Sequence, residues 1–347
     1  MTTQALLQAR LAHAAERKSH GHKFAPMAPE VLRAFVTPTS APQSLDRVIS
    51  LLHSSNRRST VETCHCPAHP LGGIDREARV VDEIAATTQP CILVDAGGYL
   101  RLPPNERSKM GAAIALEAIT KMGIHAVNVG VSDLAAGVEF FRDLQTSFSV
   151  PFVSANIVDK DGKRVFASHS LLPVRLRDGK KVTVAIVGVT RPNKPGENLP
   201  RVGAAPEDLR ITDPKKTLEK LIPELRKKAD VVILLAYYTR EEAPELIGGL
   251  PPQAKPDVVV CGDFTISQPR DYYLANLAEV DDVYYLTGGF EGRQLGHAML
   301  LFDKRNRVEK VFAKLIEIEQ TIPPKPSFTH FVEEYQKLMM RLLSEGK

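Results

Sequence analysis

The sequence predicts an α/β domain built on a largely parallel sheet. Three observations carry this. Short Val/Ile/Leu-rich runs recur along the chain, as in strands buried on both faces. Amphipathic helical segments lie between several of them, the order expected of βαβ units. And 347 residues with 43% hydrophobic and 25% charged content are enough for one large domain with an ordinary core.

The chain opens with a basic arm. Residues 1–58 carry eight Lys or Arg against three acids, whereas the whole chain is only +4, so the remaining body is close to neutral. Leu6, Leu7, Leu11 and Ala14 give a short helical pattern, followed by His20, His22 and Lys23. Pro26, Pro29, Pro38 and Pro42 then punctuate the stretch, and residues 1–45 read as an extended N-terminal arm. The domain is expected over 46–318. Its first part contains strands at 48–53, 91–95, 125–130, 182–189, 230–236 and 257–261, with helices at 75–86, 108–122, 133–144 and 213–229. Strands at 283–290, 296–303 and 308–318 close it. Residues 319–347 form a tail whose helix, about Phe328 to Leu343, places Phe328, Phe331, Val332, Tyr335, Leu338, Met339 and Leu342 on one face; docking on the body follows.

Composition excludes several functions. No apolar run is long enough to span a membrane. A neutral body and 6% aromatics without Trp argue against nucleic acid as a partner. Four cysteines make no disulfide framework: Cys91 and Cys261 read as buried thiols, and Cys64 and Cys66 stand too close to bridge each other. The first residues have no signal-peptide core, so the chain as written is expected to stay in the cytoplasm.

In open α/β sheets ligands bind beyond the carboxyl ends of the strands. The candidate positions are therefore Ser55–Arg58, Asp95–Gly98, Gly130–Asp133, Tyr237–Thr239 and Cys261–Thr265. In this order the chain resembles the N-terminal domain of the 5′-nucleotidase branch of the metallophosphoesterases. The stretches that carry the resemblance are ETCHCPAHPLGGIDREARVV (62–81), CILVDAGGYL (91–100), AVNVGVSDLAAGVEFF (126–141), PFVSANI (151–157), DVVILLAYY (230–238), DVVVCGDFT (257–265) and LTGGFEGRQLGHAMLLFD (286–303). The resemblance implies a four-layer αββα sandwich of the calcineurin-like type, with two metal ions held between strand ends.

Carried over position by position, the resemblance also implies that this metal cage is gone. Asn56 stands for the first Asp and Arg58 for its His partner. Gly98 replaces the bridging Asp, Val131 and Ser132 replace the Asn and His, Tyr237 the lone His, and Asp263 and Thr265 the final His pair. Only Asp263 keeps a ligand-capable side chain, and none of the ten histidines falls on a ligand position. The family's substrate-gripping C-terminal domain is expected to be missing. The expectation is a catalytically degenerate protein with no cofactor and no catalytic residues, acting as a binding or assembly module with a protein partner or a second copy of itself. The family habit of export, and of pairing with multihaem cytochromes, would put it in a periplasmic or extracellular redox assembly.

Other readings stay open. Cys64-His65-Cys66 with His69 offers thiolates and an imidazole to Zn or another single divalent metal; the plainer reading is a structural turn. Arg57 and Arg58 could receive a small anion such as a phosphate or nucleotide, or be a solvated basic loop near Glu62. Gly72-Gly73 before the helix could hold an anion or be turn chemistry with Asp75. Tyr237 and Tyr238 stack on a ligand ring or fill a strand end. Asp95 and Asp133 could form an acid/base pair, or Asp133 could cap the helix after it. A remodelled hydrolase site built on Asp95, Asp133, Asp263 or the Cys/His cluster is the enzymatic alternative.

Overall fold

A computed structural model describes residues 26–64, 69–192, 209–263 and 277–344. Strand β1 (Val48–Ser54) is buried along its whole length, as its unbroken apolar run requires. After helix α2 (Ile74–Thr87) comes β2 (Cys91–Asp95), then α3 (Glu106–Lys121) and β3 (Ala126–Asn128). Helix α3 is started by Asn105, which accepts from the Ser108 amide at 2.9 Å while Ser108 Oγ accepts from the Asn105 amide, a reciprocal cap. Helix α4 (Val138–Phe148) and β4 (Phe152–Val153) complete the first half.

The second half holds β5 (Ile157–Asp159), β6 (His169–Arg175), β7 (Lys181–Thr190), β8 (Leu209–Ile211), α5 (Pro214–Arg226), β9 (Val231–Tyr237), α6 (Ala243–Gly248) and β10 (Val258–Cys261). It closes with β11 (Leu277–Val280), β12 (Val283–Thr287), β13 (Gln294–Phe302), β14 (Val308–Glu317) and α7 (Pro326–Ser344).

Two six-stranded sheets result, in the orders β14-β13-β1-β2-β3-β4 and β11-β12-β10-β9-β7-β6. Alternation along each strand sorts side chains into layers. Leu52, Leu93 and Val127 pack outward against α2, α3, α4 and α7. Ile49, Leu51, Ile92 and Val94 point inward against Val184, Ile186, Ile233 and Leu235 of the second sheet. Val187, Val232 and Leu234 face Leu218, Ile222 and Leu225 of α5 on the far side. This is the expected four-layer αββα sandwich. Each fully buried Leu or Ile contributes about 1.5–3 kcal/mol, so these three layers are the main source of stability.

Polar stitches join the two sheets at one end. Asn128 Nδ2 donates to the Val189 carbonyl at 2.9 Å. Asn156 Nδ2 donates to the Thr190 carbonyl at 2.7 Å while its Oδ1 accepts from the Thr190 amide at 2.9 Å. The sheets approach so closely here that a Cβ at position 188 would sit 2.5 Å from both Asn128 Oδ1 and the Val153 carbonyl, and the residue is glycine.

Several expectations are corrected. The proline-rich stretch expected to be extended forms helix α1 (Pro29–Val36), begun by Pro29 at its first position and buried through Leu32 and Val36. The segment read as one helix from Asp133 is split: Asp133–Ala136 is a 3₁₀ turn and Gly137, at φ +85°, breaks it from α4. Strand β6 went unread because its alternating burial and Pro173 mark an exposed edge, not a buried run. The tail helix docks on its own body as expected, burying Phe328, Phe331 and Leu342 and packing Val332 and Tyr335 against the α2–α3 side. Cys261 is buried but Cys91 only partly, and burial pushes both thiols up to about 12. No helix among the described residues is long and apolar enough to cross a membrane.

Candidate functional site

Register brings the strand ends together. Ser54 lies beside Asp95, and Asp95 beside Val127, in the first sheet. Thr190 lies beside Tyr237, Ala236 beside Cys261, and Cys261 beside Thr287 in the second. The loops after these strands meet at the end stitched by Asn128 and Asn156, so Asn56, Gly98, Ser132, Tyr237 and Asp263 converge as expected. All are buried.

Each of these groups is bonded to another part of the chain. Asn56, held at φ +48°, donates through Nδ2 to the Gly262 carbonyl. Tyr237, only 4% exposed, lays its ring over the glycines of the two loops opposite: a Cβ at Gly130 would be 2.6 Å from the ring, and one at Gly98 would be 3.2 Å from the ring and 2.7 Å from Asn56 Oδ1. The phenol and Ser132 Oγ are hydrogen-bonded at 2.7 Å. Burial raises the Tyr237 phenol well above its ordinary value, helped by the nearby Asp263 and Asp133 carboxylates. Asp263 is gripped by Arg191, whose Nε and Nη2 donate to the same carboxylate oxygen at 2.8 and 2.7 Å, both residues being buried.

Asp95 and Asp133 do not form an acid/base pair. Asp95 accepts from Ser54 Oγ at 2.5 Å and from the Gly97 amide at 2.8 Å, and burial raises its carboxyl above the usual range. Asp133 accepts four backbone N–H groups: Gly98 at 2.9 Å, Gly130 at 2.8 Å, Tyr99 at 2.7 Å and Leu100 at 3.0 Å. Burial pushes it up to about 6 against the pull of those bonds. It therefore organises the turn after β2 instead of capping its own helix.

The two arginines part company. Arg57 is neither solvated nor available to an anion: it is 2% exposed and paired with Glu77 of α2 at 2.7 Å. Arg58 is partly exposed, held at φ +50°, with its guanidinium 5.4 Å from the centre of the Phe290 ring. Glu62, suggested as its acid, accepts instead from Gln336 at 3.1 Å. Arg293 approaches Phe290 to 5.6 Å, and Glu291 shares its two oxygens between Arg101 and Arg293 at 2.7 and 2.8 Å. At Gly73 an added Cβ would meet Asp75 Oδ1 at 3.0 Å, and Asp75 accepts from the Arg76 amide, so the glycine pair is turn chemistry. Tyr238 fills its strand end against the α5 side.

His65, Cys66, Phe264 and Thr265 lie outside the described residues, so the Cys64/Cys66/His69 grouping is described only in part. Cys64 Sγ accepts from the Leu71 amide at 3.3 Å. Among the described residues, His69 stands with Glu317 and Glu319. Sequence reasoning missed Arg191, Glu77 and the Phe290–Glu291–Arg293 loop. For Arg191 the signal was present: it directly follows the run VTVAIVGVT, at the same strand-end position that singled out the other candidates.

Among the described residues that stand at the family's ligand positions, Asn56 offers an amide, Ser132 a hydroxyl, Tyr237 a phenol and Asp263 a carboxylate already bound to a guanidinium.

No protein-family model and no curated protein sequence matches the chain. Solved structures do. A 5′-nucleotidase precursor from Thermus thermophilus superposes with TM-score 0.67 at 17% identity, covering 85% of this chain and 60% of its own. The calcineurin-like phosphoesterase YfkN from Bacillus subtilis gives 0.68 at 14%, covering 86% of this chain and 99% of its own. The NAD nucleotidase of Haemophilus influenzae gives 0.67 at 15%, covering 85% and 60%. The chain thus spans about 60% of the length of the two nucleotidases and matches nearly the whole of the phosphoesterase. At these identities the likeness speaks to fold. From β1 to β14 this chain has the fold of the 5′-nucleotidase-like domain of the metallophosphoesterases.

Proposed function

We propose that the chain is a phosphoesterase-fold protein that has given up two-metal hydrolysis and works as a binding or assembly module, for a protein partner or a second copy of itself. One observation carries this reading: the strand-end cleft is filled by the chain's own side chains. A two-metal centre needs two cations about 3.5–4 Å apart, shared by carboxylates and imidazoles. Here the Tyr237 ring covers Gly130 and Gly98, Asp263 is neutralised by Arg191, and Asp95 and Asp133 are bound to Ser54 and to backbone amides. A dication placed at Asp263 would face that guanidinium, a repulsion on the order of several kcal/mol at close approach. The donor set does not fit the metal pair.

The test is hydrolysis of 5′-AMP and bis-p-nitrophenyl phosphate by the purified full chain with Mn2+. The expected rate equals that of buffer with Mn2+. Metal-dependent turnover that disappears in a folded Asp263→Asn variant would overturn the reading.

A second reading is supported by the cleft mouth. Arg58 and Arg293 lie against Phe290, and Glu291 ties Arg293 to Arg101. Guanidiniums in excess over acids suit a small phosphate or carboxylate anion, and the ring suits a planar group attached to it. A ligand that binds only the folded state raises apparent stability. Millimolar phosphate or AMP should raise the melting temperature of the wild type but not of Arg58→Gln. No shift in the wild type sinks this reading while leaving the first intact.

A further inference from the structure

We propose that His69, Glu317 and Glu319 form a surface site for a divalent transition metal of the Zn2+ type, separate from the strand-end cleft. Their ligand atoms all lie within 4.8 Å of one another, and His69 Nε2 stands 3.2 Å from Glu317 Oε2. Zn–N and Zn–O bonds of about 2.0–2.1 Å at a tetrahedral centre put neighbouring ligand atoms roughly 3.3 Å apart. The His–Glu separation already matches that edge, and Glu319 closes the rest by a side-chain rotation at a partly exposed position.

The backbone makes the grouping a property of the fold. Thr63 bridges to Gly72 and Leu71 to Glu319, and the Gly72 amide donates to the Ile318 carbonyl at 2.8 Å. The strip that carries His69 is thereby pinned along the end of β14. Charge gives a second, independent indication. Among the described residues neither glutamate meets a Lys or Arg: Glu317 pairs with His69 alone, and Glu319 accepts from Thr321 Oγ1 at 3.0 Å. Two adjacent carboxylates without a fixed counter-cation, in a chain with 45 Lys and Arg, are a place where a dication lowers the energy. One imidazole with two carboxylates suits Zn2+ better than an all-oxygen set suited to Mg2+ or Ca2+. Three protein ligands leave a fourth position open to solvent.

The experiment is calorimetric titration of the chelator-stripped full chain with Zn2+, repeated with Co2+ read by visible absorption. The expected result is one equivalent bound, at least tenfold more weakly in His69→Ala and in Glu317→Gln/Glu319→Gln, with no thiolate-to-cobalt charge-transfer band and no change in Cys66→Ser. Absence of binding overturns the proposal. So does binding unaffected by the His69 and glutamate variants, and so does a thiolate band lost in Cys66→Ser, which would move the site to the cysteines. Loss of Zn2+ binding in Asp263→Asn but not in His69→Ala would place the ion in the cleft and count against the proposed function instead.

Discussion

The strand-end cleft and the rim at the end of β14 treat polar side chains in opposite ways. In the cleft Asn56, Ser132, Tyr237 and Asp263 are buried, and each is satisfied by another part of the chain. On the rim His69, Glu317 and Glu319 keep their ligand atoms near one another and near solvent. Burial, more than residue type, decides whether a donor is available. Most buried polar atoms are paired, and once paired they are structure.

The largest expected effect probes how dearly the interior holds its polar groups. His53 and His297 on β1 and β13 are buried, and the ring nitrogens of His53 have no hydrogen-bond partner among the described residues. Burial, with His297 adding to it, lowers the His53 imidazole from 6.5 to about 3. Burial lowers His297 to about 4, against its bond to the Val36 carbonyl. Between these values and 6.5 the unfolded chain binds more protons than the folded one, so stability is complete above pH 6.5 and falls as pH drops below it. By pH 4.5 the two imidazoles together remove about 5 kcal/mol, at two pH units each. Urea denaturation at pH 7.5 and 4.5 checks this. A His53→Asn/His297→Asn chain, if it folds, should have a much flatter profile; an equal loss in both chains would place acid sensitivity elsewhere.

A smaller effect sharpens the account of the filled cleft. Gly130→Ala places a methyl against the Tyr237 ring and should cost about 1–3 kcal/mol by overpacking. In a Tyr237→Ala background the same change should cost almost nothing, because the ring it strikes is gone. Additive losses in that double-mutant cycle would mean that the ring does not occupy the space over Gly130.

Much of the fold was legible because strands buried on both faces write themselves as continuous apolar runs, and β1, β7, β9 and β10 are buried along nearly all of their residues. Edge strand β6, half exposed and containing Pro173, leaves no such mark. The site was half legible. Order along the chain pointed to Asn56, Gly98, Ser132, Tyr237 and Asp263, and these do converge. Pairing was not legible, since Arg57 finds Glu77 and Asp263 finds Arg191 only after the sheets and α2 are in place. Two neighbouring arginines with nearly the same sequence context therefore end in different worlds, one locked inside and one at the mouth.

The carboxylate of Asp133, drawing four amides onto itself, has one more implication. The curve of the chain from Gly98 to Leu100 is anchored from beneath by the chain's own carboxylate. A scaffold so anchored can lose its cargo without losing its contour, leaving the surroundings free to take up other work.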